Sequence, residues 1–220
     1  MRRCGRVQFA GWTDADFDVF SIPGLEPRMD ALKRQVRPKL EQLGVDLSPY
    51  LTKVLGRPIY PHVAKHARRK VNPPVDSWVA FAADKRGYKK HPHFEVGLWS
   101  TQLFAQFCVI AECPVRPQIG QAWLSNLATV QTKVPADFFW RVDHTQRQGV
   151  KTGDLSRENL VEFIEKMANS RSGELLVGLQ IDRQDILLQP PARTLKDIEG
   201  CIAALAPLYT MALQVEGVEP

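Results

Sequence analysis

The stretch SWVAFAADKRGYKKHPHFEVGLWSTQLFAQFCVIAEC, residues 77–113, decides the fold class. Three runs within it, Ser77 to Ala82, His93 to Trp99 and Leu103 to Cys113, are rich in Val, Phe and Trp and are bounded by turn-forming residues, as strands are. The connections are short, so neighbouring strands pair antiparallel as a meander. The first connection carries Gly87 and Pro92, as a loop should, and Gly97 inside the second run points to a bulge or a close approach of backbone.

Upstream the pattern is helical. Thr13 caps a short helix whose Asp14 and Asp16 suit the positive end of the dipole and whose Phe17 and Phe20 share a face. From Glu26 to Leu43, Met29, Leu32, Val36, Leu40 and Leu43 recur at spacings of three and four, which predicts an amphipathic helix ending at Gly44, with a kink one turn before Pro38. Ser48 and Pro49 open a further short helix that stops at Gly56.

Downstream, helices and strands alternate. Gln118 to Val130 reads as a helix and Asp137 to Asp143 as a strand. Ser156 caps a helix to Met167 with the stripe Leu160, Phe163, Ile164 and Met167, and Glu174 to Ile181 is another strand. Thr194 caps a last helix through Ile198, Ile202, Leu205, Leu208 and Ala212, kinked at Pro207. The order predicts an α+β fold with about five mainly antiparallel strands and helices packed on the sheet. The expected layout is an N-terminal extension at 1–11, a single domain at 12–213 and a tail at 214–220.

At 220 residues, 44% of them apolar and 24% charged, the composition is that of a globular chain with a sizeable core, which excludes intrinsic disorder and a disulfide miniprotein. Cys4, Cys108, Cys113 and Cys201 lack zinc-ligand spacing, and Cys4 reads as a free thiol exposed to oxidation. With no apolar leader at MRRCGRVQFAGW and no continuous apolar run of membrane length, a reducing, cytoplasmic compartment and no membrane are expected.

Charge is concentrated. The net charge is +5, yet between Ile59 and His93 eight cations face only Asp76 and Asp84, a local balance of +6, so the rest of the chain sums to −1. Four of the five histidines, His62, His66, His91 and His93, lie in that segment. Lys65, His66, Arg68, Arg69, Arg86, Tyr88, Lys89 and His93 are the candidate ligand contacts: arginine forks pair with phosphate oxygens, and His, Tyr and Trp rings stack on bases. If Pro61 opens a helical turn, His62, His66 and Arg69 share one face; if the segment is extended, both histidines group with Arg68 instead. A solvated basic face, or ion pairs within the protein, would use the same residues.

Other chemistry is less complete. His62 and His66 have the i, i+4 spacing of helical zinc ligands, with His93 or the Asp143, His144 pair available. However, Val63 stands where a metalloprotease carries Glu, and the local charge opposes a dication, so neither metal nor cofactor is expected. Asp143 beside His144 suits an acid–base pair only if the strand has ended; an Asx turn is the simpler reading. Histidine acid–base work would draw on His62, His66, His93, His144 and Asp143, and the sequence leaves open whether the protein is an enzyme. The tryptophans, Trp99 among them, read as core rather than as a stacking platform.

The string YPHVAKHARRKVNPPVDSWVAFAADKRGYKKHPHFEVGLW (60–99), with GLEPRMDALKRQVRPKL (24–40), PADFFWRVDHT (135–145) and ELLVGLQI (174–181), resembles the YktB-like family of uncharacterised bacterial proteins, found mostly in Firmicutes. The resemblance runs from about Trp12 to the final helix near Leu213. It implies an α+β arrangement with a curved sheet, similar to the TATA-binding-protein-like class, and it implies no catalytic residues. Three functional classes remain: binding of nucleic acid or a phosphorylated small molecule through 59–93, an enzyme acting on a small anionic substrate, and a module that binds an acidic protein.

Overall fold

The computed structural model describes residues 8–215. Helix α1 (Asp14–Asp18) passes through a 3-10 turn into α2 (Leu25–Ala31), and a π turn at Leu32–Val36 joins α2 to α3 (Arg37–Leu55). Strands β1 (Tyr60–Val63), β2 (Asp76–Ala82), β3 (His93–Trp99) and β4 (Gln102–Val109) follow. Then come α4 (Arg116–Ser125), α5 (Leu127–Lys133), β5 (Phe139–Arg141), β6 (Val150–Lys151), α6 (Arg157–Asn169), β7 (Leu175–Asp182), α7 (Arg183–Leu188) and α8 (Pro191–Val215). The fold is α+β, and its sheet has seven strands rather than about five, in the order β1-β2-β3-β4-β7-β5-β6, every neighbour antiparallel. The two strands the sequence reading lacks are short: β1 carries Pro61 on the sheet edge, and β6 has two residues.

Register sorts the side chains. Val79 pairs with Val96, Val96 with Ala105 and Phe107 with Val177, so Val79, Phe81, Phe94, Val96, Leu98, Leu103, Phe107 and Val177 share one face. These residues are buried in one core with α3, α4 and α8. Trp78 pairs with Gly97, Glu95 with Gln106 and Gln106 with Gly178, so the opposite face carries Asp76, Trp78, His93, Glu95, Gln106, Cys108 and Arg141. A Cβ on Gly97 would meet the Ser77 carbonyl and lie 2.6 Å from Phe104 Cζ, so the glycine serves a close approach and not a bulge.

α3 corrects the reading of two helices. It runs unbroken through Gly44 and Pro49, because Gly44 packs the helix onto the sheet: its Cβ would lie 2.9 Å from Pro61 Cβ. The π turn falls one turn before Pro38, where the missing N–H and the bulk of the ring disturb the hydrogen-bond ladder, and left-handed Gly56 ends the helix. The helix expected at 118–130 is two, because the Asn126 side chain donates to the Ala122 carbonyl at 2.8 Å and competes with the backbone. α8 starts at Pro191, so Thr194 lies inside it, and it continues through Pro207. By length and composition α8 could cross a membrane, but its stripe Ile198, Ile202, Leu205 and Leu208 is core.

Ahead of α1, Phe9 is buried edge-on against Trp12 at 5.3 Å, and its N–H donates to Asp46 at 2.8 Å. Cys4 lies outside the described residues.

A basic aromatic groove and the buried polar pocket behind it

β1 ends at Val63, so the chain from Ala64 to Val75 is a loop and not a helix, and His62, His66 and Arg69 share no helical face. Three contacts fix the loop. Ala64 N–H donates to the Trp78 carbonyl at 2.9 Å, His66 Nε2 meets Ser77 Oγ at 3.2 Å, and the buried Arg28 donates to the Pro74 carbonyl at 2.9 Å. His66 adopts φ +52°, a left-handed conformation that histidine tolerates better than most residues, and its ring stands edge-on to Trp78 at 5.5 Å. Burial, then the charges of Arg69 and Arg37, depress its pKa to about 4, so the ring is neutral at pH 7.

This loop and the one before β3 form a groove of about 320 Å³ lined by Lys65, His66, Arg68, Arg69, Trp78, Tyr88 and Lys89, with Ala64 and Ala67. Trp78 Nε1 donates to Tyr88 Oη at 3.2 Å and fixes the two rings relative to each other. Lys65, Arg68, Arg69 and Lys89 are exposed. Lys89 pairs with Glu112 at 2.8 Å, whereas no ion pair engages Lys65, Arg68 or Arg69 among the described residues. The basic segment is therefore only partly neutralised within the protein.

Trp78, Tyr88 and Lys89 are also the wall of a second, smaller cavity of about 60 Å³, whose lining includes Asp76, Glu95, Gln106, Glu112, Arg141 and His144. Its floor is a hydrogen-bonded chain. His93 Nδ1 faces the His91 carbonyl at 2.7 Å and Nε2 faces Glu95 Oε1 at 3.3 Å, while Gln106 Nε2 donates to Glu95 Oε2 at 3.0 Å. The Cys108 thiol donates to the same oxygen at 3.5 Å. Arg141 donates to Gln106 Oε1 and, at 2.7 Å, to the Gln146 carbonyl. Burial acts to raise Glu95, but the bonds from His93, Gln106 and Cys108 hold it below the usual carboxylate value. Asp76 is pushed up to about 7 by burial and by the nearby Glu95 charge, and no hydrogen-bond donor reaches it among the described residues. His144 Nδ1 lies 2.9 Å from Glu174, and this bond raises its pKa against the effect of burial.

The structure brings Lys65, His66, Arg68, Arg69, Tyr88 and Lys89 into one groove and separates the other candidates. His93 has no exposed surface and sits behind Tyr88, ring centroids 4.8 Å apart, so it cannot touch a ligand in the groove. Arg86 lines a different hollow with Arg57, Tyr60 and His91. His62 Nε2 meets the Asp84 carbonyl at 2.9 Å. Asp143 accepts from Thr145 N–H at 2.8 Å and Oγ1 at 2.6 Å, an Asx turn. The candidate histidines thus do not converge on one concavity: only His144 lines the small pocket, and only His66 the groove. Trp12, Trp99, Trp123 and Trp140 are core, while Trp78 is half-buried between the two cavities.

Sequence reasoning missed Asp76, Glu95, Gln106, Cys108, Arg141 and Glu174 as a set. The available signal was a polar residue inside each of several apolar strands, Glu95 in HFEVGLW, Gln106 in LFAQFCV and Arg141 in FFWRV. Only the register shows that they meet.

Comparison with known proteins places the whole arrangement in one family. Residues 12–209 match the model of a domain of unknown function, DUF1054. A UPF0637 protein of Bacillus velezensis is 43% identical over 204 residues, covering 93% of this chain and 97% of the relative. UPF0637 proteins of Bacillus cereus and Bacillus cytotoxicus are 44% and 45% identical, over 89% and 90% of this chain and 94% and 95% of theirs. The chain therefore belongs to the DUF1054 family of uncharacterised bacterial proteins.

Proposed function

We propose that the groove binds a phosphate-bearing ligand of nucleotide type, a free nucleotide or the end of a single strand. One observation carries this reading: Lys65, Arg68, Arg69 and Lys89 share one groove with the rings of His66, Trp78 and Tyr88. The cations offer a guanidinium fork and point charges to phosphate oxygens, and the rings offer a face to a base. Its volume of about 320 Å³ lies at the lower end of the roughly 300 to 1,000 Å³ typical of small-ligand sites. Histidine acid–base catalysis has less support, because the candidate histidines are dispersed. An acidic protein partner would use the cations and leave the rings without a role. The reducing compartment expected for the protein is supported by Cys108 and Cys201, both buried free thiols.

The test is fluorescence anisotropy of labelled nucleotides and of single- and double-stranded oligonucleotides at about 50 and 200 mM salt, with polyglutamate as competitor. Nucleotide or single-strand binding should weaken with salt at a log–log slope of about 0.7 per phosphate neutralised on a single strand. It should fall more than about tenfold in Arg68→Glu/Arg69→Glu, given about 1.5 to 3 kcal/mol per hydrogen bond to a charged group. Absence of binding at the lower salt, or an unchanged double variant, overturns the reading; displacement by polyglutamate alone assigns the groove to an acidic protein.

A further inference from the structure

We propose that His93, Glu95 and Cys108 form a site for one divalent transition metal ion of zinc type, beneath the groove and independent of it. The three residues come from adjacent strands: His93 is directly opposite Cys108, and Glu95 is two residues along on the same face. All three are buried, and their ligand atoms lie within 4.8 Å of one another. With zinc bond lengths of about 2.0 to 2.1 Å to nitrogen and oxygen and about 2.3 Å to sulfur, tetrahedral ligands stand about 3.4 Å (N to O) and about 3.6 Å (S to O) apart. The observed separations are 3.3 Å from His93 Nε2 to Glu95 Oε1 and 3.5 Å from Cys108 Sγ to Glu95 Oε2. The two separations run to different carboxylate oxygens, and the three ligand atoms lie within 4.8 Å of one another, so an ion is seated by turning the Glu95 carboxylate and drawing the three side chains together, with the strands in place.

The surroundings are those of a supported site. A bond from His93 Nδ1 to the His91 carbonyl at 2.7 Å keeps a proton on Nδ1 and orients the ring, so that Nε2 is the nitrogen that ligates once its bond to Glu95 is given up. Gln106, itself held by Arg141, orients the Glu95 carboxylate. A separate observation points to a cation. Asp76, more than nine-tenths buried, lines the cavity beside Glu95, and no hydrogen-bond donor reaches it among the described residues. Asp76 and Glu95 are buried carboxylates lining one cavity with a single buried guanidinium, Arg141, so a dication would offset the negative charge that Arg141 leaves. The +6 balance of residues 59–93 does not oppose it, because Lys65, Arg68, Arg69, Lys70, Lys85, Arg86, Lys89 and Lys90 are all exposed.

Thiolate, imidazole and carboxylate together select zinc, cobalt or iron over magnesium or calcium. On binding, the Cys108 S–H bond breaks and sulfur donates the retained electron pair to the metal, the Nε2–H bond that His93 directs at Glu95 breaks and nitrogen does the same, and both protons leave to solvent; nothing is oxidised or reduced.

The test uses the full chain in a Cys4→Ser background, stripped with a chelator and titrated with Co(II). One equivalent should give the visible bands of low-symmetry, four-coordinate cobalt and a near-ultraviolet thiolate-to-cobalt charge-transfer band. Cys108→Ser should abolish the charge-transfer band, and Cys113→Ser should keep it. Changes to supporting residues cost about 10- to 100-fold in metal affinity; losing a ligand in His93→Gln or Glu95→Gln should weaken zinc binding at least as much, read by a competing chromophoric chelator. Zinc should also raise the melting temperature of the parent protein but not of Cys108→Ser, with circular dichroism confirming that both are folded. No stoichiometric cobalt spectrum in the parent, or a charge-transfer band that survives Cys108→Ser, overturns the proposal. Nucleotide binding to the groove is read in the same samples without metal, so the two proposals fail separately.

Discussion

The two faces of the sheet differ in kind. On one, Phe94 and Phe107 lie 5.3 Å apart, with Trp123 and Tyr209 about the Phe107 ring, and the contacts are almost wholly apolar, the buried Trp123 Nε1 going without a hydrogen-bond partner. On the other, His93, Glu95, Gln106, Cys108 and Arg141 are equally withdrawn from water and bond to one another and to backbone. Burial of apolar surface stabilises roughly in proportion to area, whereas each buried polar group costs free energy until it is bonded. One face supplies stability, and the other holds polar chemistry that the first makes tolerable.

Truncation on the apolar face should have the largest effect. Phe107→Ala is expected to cost about 3 to 5 kcal/mol in urea unfolding, because the ring is wholly buried among aromatic neighbours. A cost below about 1 kcal/mol would mean that this face does not carry the stability.

On the polar face the expected effect depends on pH. Asp76 has a folded pKa of about 7, above its unfolded value, so its contribution is fully present below about pH 4 and is lost as pH rises through 7. Asp76→Asn should therefore be more stable than the parent at pH 8 by a few kcal/mol, and its stability between pH 4 and 7 should rise with pH relative to the parent's. Parallel pH profiles for the two proteins would contradict the assigned environment.

His66 has the opposite sign and a smaller effect. Its folded pKa of about 4 lies below the unfolded value, so its contribution is present above about pH 6.5 and is lost as pH falls through 4. His66→Asn, which tolerates the left-handed backbone, should cost about 1 to 2 kcal/mol at pH 7 and lose less stability than the parent from pH 6.5 to 4. Equal acid sensitivity would show that the ring is not held neutral.

The smallest change in stability belongs to the groove. Arg68→Ala and Arg69→Ala should shift unfolding by no more than about 0.5 kcal/mol, since both are exposed, neither is in an ion pair among the described residues, and Arg69 makes only a long, exposed bond to the Asn72 carbonyl, at 3.4 Å, while nucleotide binding should weaken. A larger loss of stability would make them structural.

The same division explains what the sequence discloses. Strands β2 to β4 and helix α6 are legible because turn residues bound their apolar runs and Ser156 caps its helix, accepting from Asn159 N–H at 3.1 Å. The groove cations are legible because exposed loops can carry a dense run of charge. Gly44 misleads because a packing glycine and a helix-ending glycine are the same letter, and only contact with Pro61 separates them. Glu95, Gln106 and Arg141 are hidden for a related reason. Strand β3 is buried on both faces, so no alternation marks the polar side, and β5 enters beside β7 only through a long crossover.

The most direct test of the groove is the indole N–H region of a proton–nitrogen NMR spectrum, with the Trp78 signal assigned by Trp78→Phe, during titration with the four nucleoside monophosphates. The expected result is a shift of the Trp78 signal and of the Lys65 to Arg69 amides, with Trp123 and Trp140 unmoved and the shifts lost in Arg68→Glu/Arg69→Glu. Shifts confined to other sites, or none at millimolar nucleotide, would contradict the assignment of the groove.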